Sequence, residues 1–133
     1  MVFEQPIRIL IADDVALNLL VAIESVKQHF ENAEVTEAAN GRQVIDLFGN
    51  QHFDIILMDI QMPEMTGLEA ARHIRQDNQQ VPIIALTGSD TTAEMEEALA
   101  SGMNLCLSKP IRPYELALAI AQLLKLQHAA MPG

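Results

Sequence analysis

Five positions in this sequence carry side chains that could act together. Asp13 and Asp14 directly follow the run Arg8-Ile9-Leu10-Ile11-Ala12, and Asp59 directly follows Asp54-Ile55-Ile56-Leu57-Met58. Thr87 and Gly88 follow Pro82-Ile83-Ile84-Ala85-Leu86, and Ser108-Lys109-Pro110 follow Leu105-Cys106-Leu107. If these runs are parallel strands of one sheet, their ends bring three carboxylates, a hydroxyl and an ammonium into one crevice. Carboxylates crowded in this way repel, and without compensation at least one keeps its proton near neutral pH. A single lysine cannot balance three negative charges, whereas a divalent cation can. Oxygen donors with no His or Cys beside them select a hard ion, Mg2+ with Mn2+ as the alternative. Taken singly, each Asp could equally be a helix or loop cap. Taken together, with every polar residue ending its own apolar run, capping alone is the weaker reading.

The chemistry that suits such a set is phosphoryl transfer onto a carboxylate, which gives an acyl phosphate. The equatorial oxygens of the transition state need a metal, an ammonium and a hydrogen-bond donor around them. Asp14 with the metal, Lys109 and Thr87 can supply those, and Asp59 is the best placed nucleophile. Two other site chemistries fit less well. A Mg2+-dependent phosphatase with a nucleophilic Asp needs a second Asp two residues on, where Gln61 stands. A nucleotide or flavin site needs a Gly-rich loop after the first strand, where Asp13-Asp14-Val15-Ala16 would repel phosphate.

The elements that must hold these residues follow from patterning. The three longer runs do not alternate with polar residues, as expected of parallel strands covered on both faces. Leu105-Cys106-Leu107 is shorter and reads as an edge strand. Glu34-Val35-Thr36-Glu37 alternates and reads as the opposite edge. Between the runs, helical spacing predicts a helix over Leu17 to Phe30, with Leu19, Ile23, Val26 and Phe30 inward. A second opens at Asn40-Gly41 and stops at Gly49, and a third follows Thr66-Gly67 with Leu68, Ala71 and Ile74 inward. A fourth is capped by Asp90 or Thr91 and ends before Ser101-Gly102. A fifth runs from Pro113, a residue favoured in the first turn, to about Leu126. Five β-α units in this order mean right-handed crossovers and an α/β, doubly wound parallel sheet. Residues 1–127 are expected to form one domain, with 128–133 a disordered tail or a truncated end.

Composition narrows the class. The chain has 133 residues, enough for one domain, and half are hydrophobic. Eighteen acidic against eight basic residues give a formal charge of −10. Such a balance speaks against a direct nucleic-acid or membrane-surface partner. One cysteine suits a reducing compartment, no stretch is long and apolar enough to span a bilayer, and the N-terminal residues lack a signal-peptide pattern. A cytoplasmic location is expected.

Asp13-Asp14, the stretch Asp59-Ile60-Gln61-Met62-Pro63-Glu64-Met65-Thr66-Gly67, Thr87-Gly88 and Lys109-Pro110 match in order and spacing the receiver domain of two-component response regulators. The resemblance runs from about Ile7 to Leu126. The segments 59–75 and 102–111, with Asn18, are most similar to receivers of hybrid sensor histidine kinases, whose parent proteins are often membrane-anchored. The resemblance implies a flavodoxin-like (βα)5 fold with strand order 2-1-3-4-5. It implies a phosphorelay function in which Asp59 accepts a phosphoryl group from a histidine kinase or histidine phosphotransfer domain. The domain would then switch the surface of its fourth helix, fifth strand and fifth helix, or pass the phosphoryl group on. It would be a self-phosphorylating, slowly self-dephosphorylating acceptor rather than an enzyme. Asp14, Asp59 and the backbone carbonyl of Gln61 would ligate Mg2+, with Asp13 acting largely through water. Lys109 would pair with phosphoryl oxygens, Thr87 would swing toward them as the switch, and the Lys109–Pro110 peptide would be cis. Gln61 and Ser89 would tune how fast water removes the phosphoryl group.

Two positions depart from the family. Gly88 stands where Ala is common. Cys106 stands where receivers usually carry Tyr or Phe, so the coupling of a threonine swing to a ring rotation is not available. Switching through backbone rearrangement of the loop after the fourth strand is expected instead. Cys106 itself reads as a small buried hydrophobe. A phosphorylation-independent interaction module is the alternative function.

Two surfaces stand out. Leu17, Leu20 and Val21 exceed what one core stripe needs and lie beside the proposed site. They read either as a docking face for the phosphohistidine donor or as a wide core face. The last helix is apolar nearly all round, which suits a homodimer contact or simple helix propensity. The four histidines, His29, His52, His73 and His128, share no metal-ligand spacing and read as surface residues.

Overall fold

In a computed structural model of the protein, the described residues are 6–89 and 91–130, with side chains through Lys125. Five strands and five helices alternate: β1 (Arg8–Ala12), α1 (Ala16–His29), β2 (Glu34–Ala38), α2 (Gly41–Asn50), β3 (Ile55–Asp59), α3 (Gly67–Asp77), β4 (Ile83–Thr87), α4 (Thr92–Ala100), β5 (Leu105–Ser108) and α5 (Pro113–Ala130). All strand pairings are parallel and the order is β2-β1-β3-β4-β5. The expected topology is therefore the observed one, with the alternating segment and the shortest run at the two edges.

The unbroken apolar runs are explained by what each strand face meets. Leu10, Ile56, Met58, Ile83 and Ala85 pack with Val44 of α2, Ala70, Ala71 and Ile74 of α3 and Ala98 of α4. Their neighbours Ile9, Ile11, Ile55, Leu57, Ile84 and Leu86 pack on the other face with Ala22 and Val26 of α1 and Leu116, Ala117, Ile120 and Leu124 of α5. Side chains alternate across a strand, so a strand covered twice must be apolar at every position. Each fully buried Ile or Leu contributes about 1.5–3 kcal/mol relative to an exposed one, and both layers rest on the same three central strands.

Helix boundaries fall within a residue or two of expectation, except at the C-terminus. There α5 continues to Ala130, past the predicted end near Leu126. The expected tail is thus helical over 128–130, and 131–133 lie outside the described residues. The helix is less uniformly apolar in its surroundings than its sequence suggests. Leu116, Ile120 and Leu124 form one buried stripe at a spacing of four residues, while Tyr114 and Leu118 are exposed. Thr91 is the N-cap of α4, accepting the Glu94 N–H at 3.3 Å.

The loop between β3 and α3 is closely packed against the end of β3. The Gly67 N–H donates to the Ile60 carbonyl at 2.9 Å, and Met65 N–H to the Pro63 carbonyl at 2.7 Å. Glu64 takes the left-handed conformation with φ 66°. A Cβ on Gly67 would collide with the backbone carbonyl of Asp59, which has nowhere to retreat because Asp59 ends a central strand. Gly41 at the start of α2 meets the Met65 carbonyl in the same way. Gly67→Ala is therefore expected to destabilise the domain by about 2–4 kcal/mol. The measurement is the urea unfolding midpoint at unchanged slope.

Candidate functional site

The ends of β1, β3 and β5 deliver Asp13 and Asp14, Asp59, and Lys109 to the same crevice. The Lys109 Nζ lies 2.9 Å from Asp13 Oδ2 and 3.2 Å from Asp59 Oδ2. Asp13 and Asp59 are buried, and Asp14 is exposed at the rim. One carboxylate oxygen from each of Asp13, Asp14 and Asp59 lies within 4.8 Å of the others. Asp13 also accepts the Val15 N–H at 2.9 Å through Oδ1, an Asx turn ahead of α1; the helix itself starts at Val15 without a side-chain cap, so neither Asp13 nor Asp14 caps it. The Gln61 N–H reaches Asp59 Oδ1 at 3.3 Å. The Lys109–Pro110 peptide is cis, as the family resemblance implies. The Lys109 N–H donates to the Thr87 carbonyl at 2.7 Å, which ties the end of β5 to the end of β4.

The electrostatics are unbalanced by design of the geometry. Burial pushes the Asp59 carboxyl above its ordinary value; the Lys109 charge pulls it back, and the Asp13 charge pushes it up again. The net direction is upward. For Lys109, burial presses the ammonium down, but hydrogen bonds and charge from Asp13 and Asp59 together outweigh it and hold its value up. One cation thus serves two buried acids, with a third beside them. The donor set is all oxygen, and no His or Cys is within it. Those residues fit a hard divalent cation, because burial first and the Asp13 charge second raise Asp59, and positive charge beside it offsets both.

The remaining predicted positions divide clearly. Thr87 is buried at the end of β4, but its hydroxyl turns to α4, 2.8 Å from Glu94 Oε1 and 2.8 Å from the Ser89 carbonyl. Ser89 is half-buried and donates its N–H to Thr87 Oγ1 at 3.1 Å. Gln61 is exposed at the mouth. Cys106 is half-buried, and its thiol is pushed up by burial first and by the Glu94 charge second. Leu17, Leu20 and Val21 are 68, 54 and 40% exposed, so they form a solvent-facing stripe on α1 rather than a wide core face. His52 and His73 are exposed and His29 is half-buried; the side chain of His128 is outside those described. Glu94, whose carboxylate contacts Thr87, is a residue that the sequence did not single out. Its spacing from Thr91 reads as ordinary helix capping and carries no sign that the carboxylate reaches Thr87.

Stability should report the imbalance directly. A carboxyl whose folded value is raised favours folding at low pH, and that contribution is lost as pH rises through the folded value. Ionising Asp59 therefore costs stability when no metal is bound, while the raised Lys109 loses its contribution only in the alkaline range. In EDTA near neutral pH, Asp59→Asn is expected to melt a few degrees above the unsubstituted protein, and the gap should close toward acid pH. Thermal melts across pH check this, and an equal or lower melting temperature for the variant near neutrality would contradict it.

Comparison with known proteins agrees with this geometry. Residues 9–121 match the response regulator receiver domain. The chain is 37% identical over 133 residues to the sensor protein EvgS of Escherichia coli K12, covering 96% of this chain and 11% of that protein. It spans about a tenth or less of the length of the first curated relatives it matches. Among solved structures, it is similar to the receiver domain of the sensor histidine kinase PA1611 from Pseudomonas aeruginosa, with 32% identity, TM-score 0.83 and coverage of 91% and 99% of the two chains. That structure holds a magnesium ion in its active-site cleft. It is also similar to the complex of the Saccharomyces cerevisiae histidine phosphotransfer protein Ypd1 with the Ssk1 receiver, with 28% identity, TM-score 0.84 and coverage of 92% and 91%. Among the described residues no helix is long and apolar enough to cross a membrane. With the strand order, the acidic trio and the lysine all in place, the chain belongs to the response regulator receiver domains of two-component phosphorelay systems.

Proposed function

We propose that Asp59 accepts a phosphoryl group from a phosphohistidine on a histidine kinase or histidine phosphotransfer domain, in a Mg2+-dependent step. The observation that carries this reading is the placement of Lys109 between Asp13 and Asp59, with Asp14 at the rim within metal-sharing distance. Asp59 forms an O–P bond as the P–N bond to the imidazole breaks, and the imidazole takes up a proton. Asp13, Asp14 and Asp59, with the Gln61 carbonyl, would hold the cation, whose chemistry is to neutralise the carboxylates and the phosphoryl oxygens. The chain's own part is positional. Lys109 exchanges a carboxylate for a phosphoryl oxygen, Gln61 stands at the water-accessible mouth, and the Gln61 N–H steadies Asp59.

The donor docks on α1 in this reading. Leu17, Leu20 and Val21 lie on one side of the helix at spacings of three and four, next to Asp14, and present a stripe suited to another helix. The Ypd1–Ssk1 complex supports a histidine phosphotransfer protein as that partner. Output would use the other side of the site, where Met95 and Leu99 of α4 and Tyr114 and Leu118 of α5 are exposed around β5. That face also offers the homodimer contact. The likeness to hybrid kinases supports a working place as one domain of a larger cytoplasmic or membrane-anchored sensor protein.

Two measurements test the proposal. Incubation with acetyl phosphate or phosphoramidate should add one phosphoryl group, read by intact mass, only when Mg2+ is present. Asp59→Asn should abolish the gain. No gain in a folded protein would favour the phosphorylation-independent interaction module. Separately, Leu17→Asp with Leu20→Asp should slow transfer from a phosphohistidine donor at least about tenfold, the cost of losing an apolar helix contact. Labelling by acetyl phosphate should be unchanged.

A further inference from the structure

The hydroxyl of Thr87 is held by a carboxylate that the phosphoryl chemistry does not use. Thr87 Oγ1 has one proton and two acceptors at 2.8 Å, the Ser89 carbonyl and Glu94 Oε1. The ionised carboxylate is the stronger partner, since charge-assisted bonds are about twice as strong as neutral ones. With that proton engaged, Thr87 cannot donate toward Asp59.

Glu94 has a second place to go, and the chain itself shows it. The pattern Thr-x-x-Glu occurs at the start of α3 (Thr66, Glu69) and of α4 (Thr91, Glu94). At α3 the capping box is closed: Thr66 Oγ1 accepts the Glu69 N–H at 3.2 Å, and Glu69 Oε1 accepts the Thr66 N–H at 3.1 Å. At α4 only the first half is made. The Thr91 N–H points instead to Ser89 Oγ at 3.4 Å, the long limit of a hydrogen bond, and the Glu94 carboxylate lies on Thr87.

We propose that Glu94 is a positioning residue that latches Thr87 toward α4, and that turning Thr87 to a phosphoryl group on Asp59 transfers the Glu94 carboxylate to the Thr91 N–H. The inference rests on the acceptor reading above. In either arrangement the carboxylate has one strong donor, the Thr87 hydroxyl or the Thr91 N–H, so a phosphoryl group that takes over the hydroxyl tips the balance toward the second. The transfer moves the first turn of α4, beside the exposed Met95. It gives this chain a side-chain link between site and surface at the place where Cys106 provides no ring, and it adds to the expected loop rearrangement after β4. The Glu94 charge already acts on the Cys106 thiol, which puts the latch at the switch position.

The probe is fluoroberyllate with Mg2+, a stable stand-in for the aspartyl phosphate, titrated by calorimetry or fluorine NMR. Glu94→Ala should tighten apparent fluoroberyllate affinity about three- to tenfold, because the competing hydrogen bond is gone. Glu94→Gln keeps a neutral acceptor and should fall between, and it carries the test if the alanine variant does not fold. Glu97→Ala, an exposed acid on the same helix, removes the same charge and should change affinity less than about twofold. In a Thr87→Val background, the effect of Glu94→Ala should vanish. A gain that persists in that background, or no gain at either Glu94 variant while the unsubstituted protein binds, overturns the latch alone. Failure of the unsubstituted protein to bind fluoroberyllate overturns both the latch and the acceptor reading.

Discussion

The structure depends on a charge imbalance that one lysine only half corrects. Lys109 reaches both Asp13 and Asp59, and Asp14 adds a third acid that it does not reach within the same contact distance. A buried pair of acids around one ammonium is expensive to keep, and the upward shift of Asp59 is the visible trace of that expense. Replacing the acids with apolar residues would make an easier core. What the arrangement gains is three carboxylates and an ammonium gathered at the strand ends, a donor set that suits a hard cation. The two apolar layers around β1, β3 and β4 supply the stability that tolerates it.

The same constraint explains which parts of the fold are rigid. Asp59 must stay in place against the repulsion of its neighbours. Its backbone is clamped on both sides, by the ladder to β4 and by the close approach of Gly67. Lys109 is fixed differently. The cis Lys109–Pro110 peptide and the Lys109 N–H bond to Thr87 hold its backbone, while the long side chain crosses the crevice. By contrast, Gln61 and Asp14 stand exposed at the rim, where the crevice opens to solvent. Among the described residues, no buried side-chain polar atom lacks a partner. The strain of the site is therefore one of charge and not of missing hydrogen bonds.

Much of this was legible because it follows from period and position. Ile9 to Ala12 is apolar at every residue, which only a doubly covered strand requires, and the acids begin where that run stops. Residues that end strands must meet if the strands are parallel, so Asp13, Asp59, Thr87 and Lys109 could be placed together without coordinates. The direction of a side chain is a different matter. Leu17, Leu20 and Val21 could be read as core or as surface, because α1 has apolar residues on more than one face; only the position of β1 and α5 decides it. The end of α5 was missed for a related reason. His128-Ala129-Ala130 carries no stop signal and no large apolar side chain, so its composition suits a helix and a tail alike.

Glu94 shows most sharply where sequence reading stops. Thr66–Glu69 and Thr91–Glu94 are spelled the same way and begin helices of similar length, yet one glutamate serves its own cap and the other a residue in the preceding strand. The difference is tertiary. Ahead of α3 the chain passes through the tight Pro63–Met65 turn, and no hydroxyl from β3 faces that helix start. Ahead of α4, β4 ends in a threonine whose hydroxyl has no buried partner other than the loop and the helix it precedes. A carboxylate in reach of a buried hydroxyl and of a backbone N–H can satisfy only one well, and which it chooses depends on what else the hydroxyl is offered. The capping motif, a local device in α3, becomes in α4 a reporter of the chemistry at the end of the strand before it.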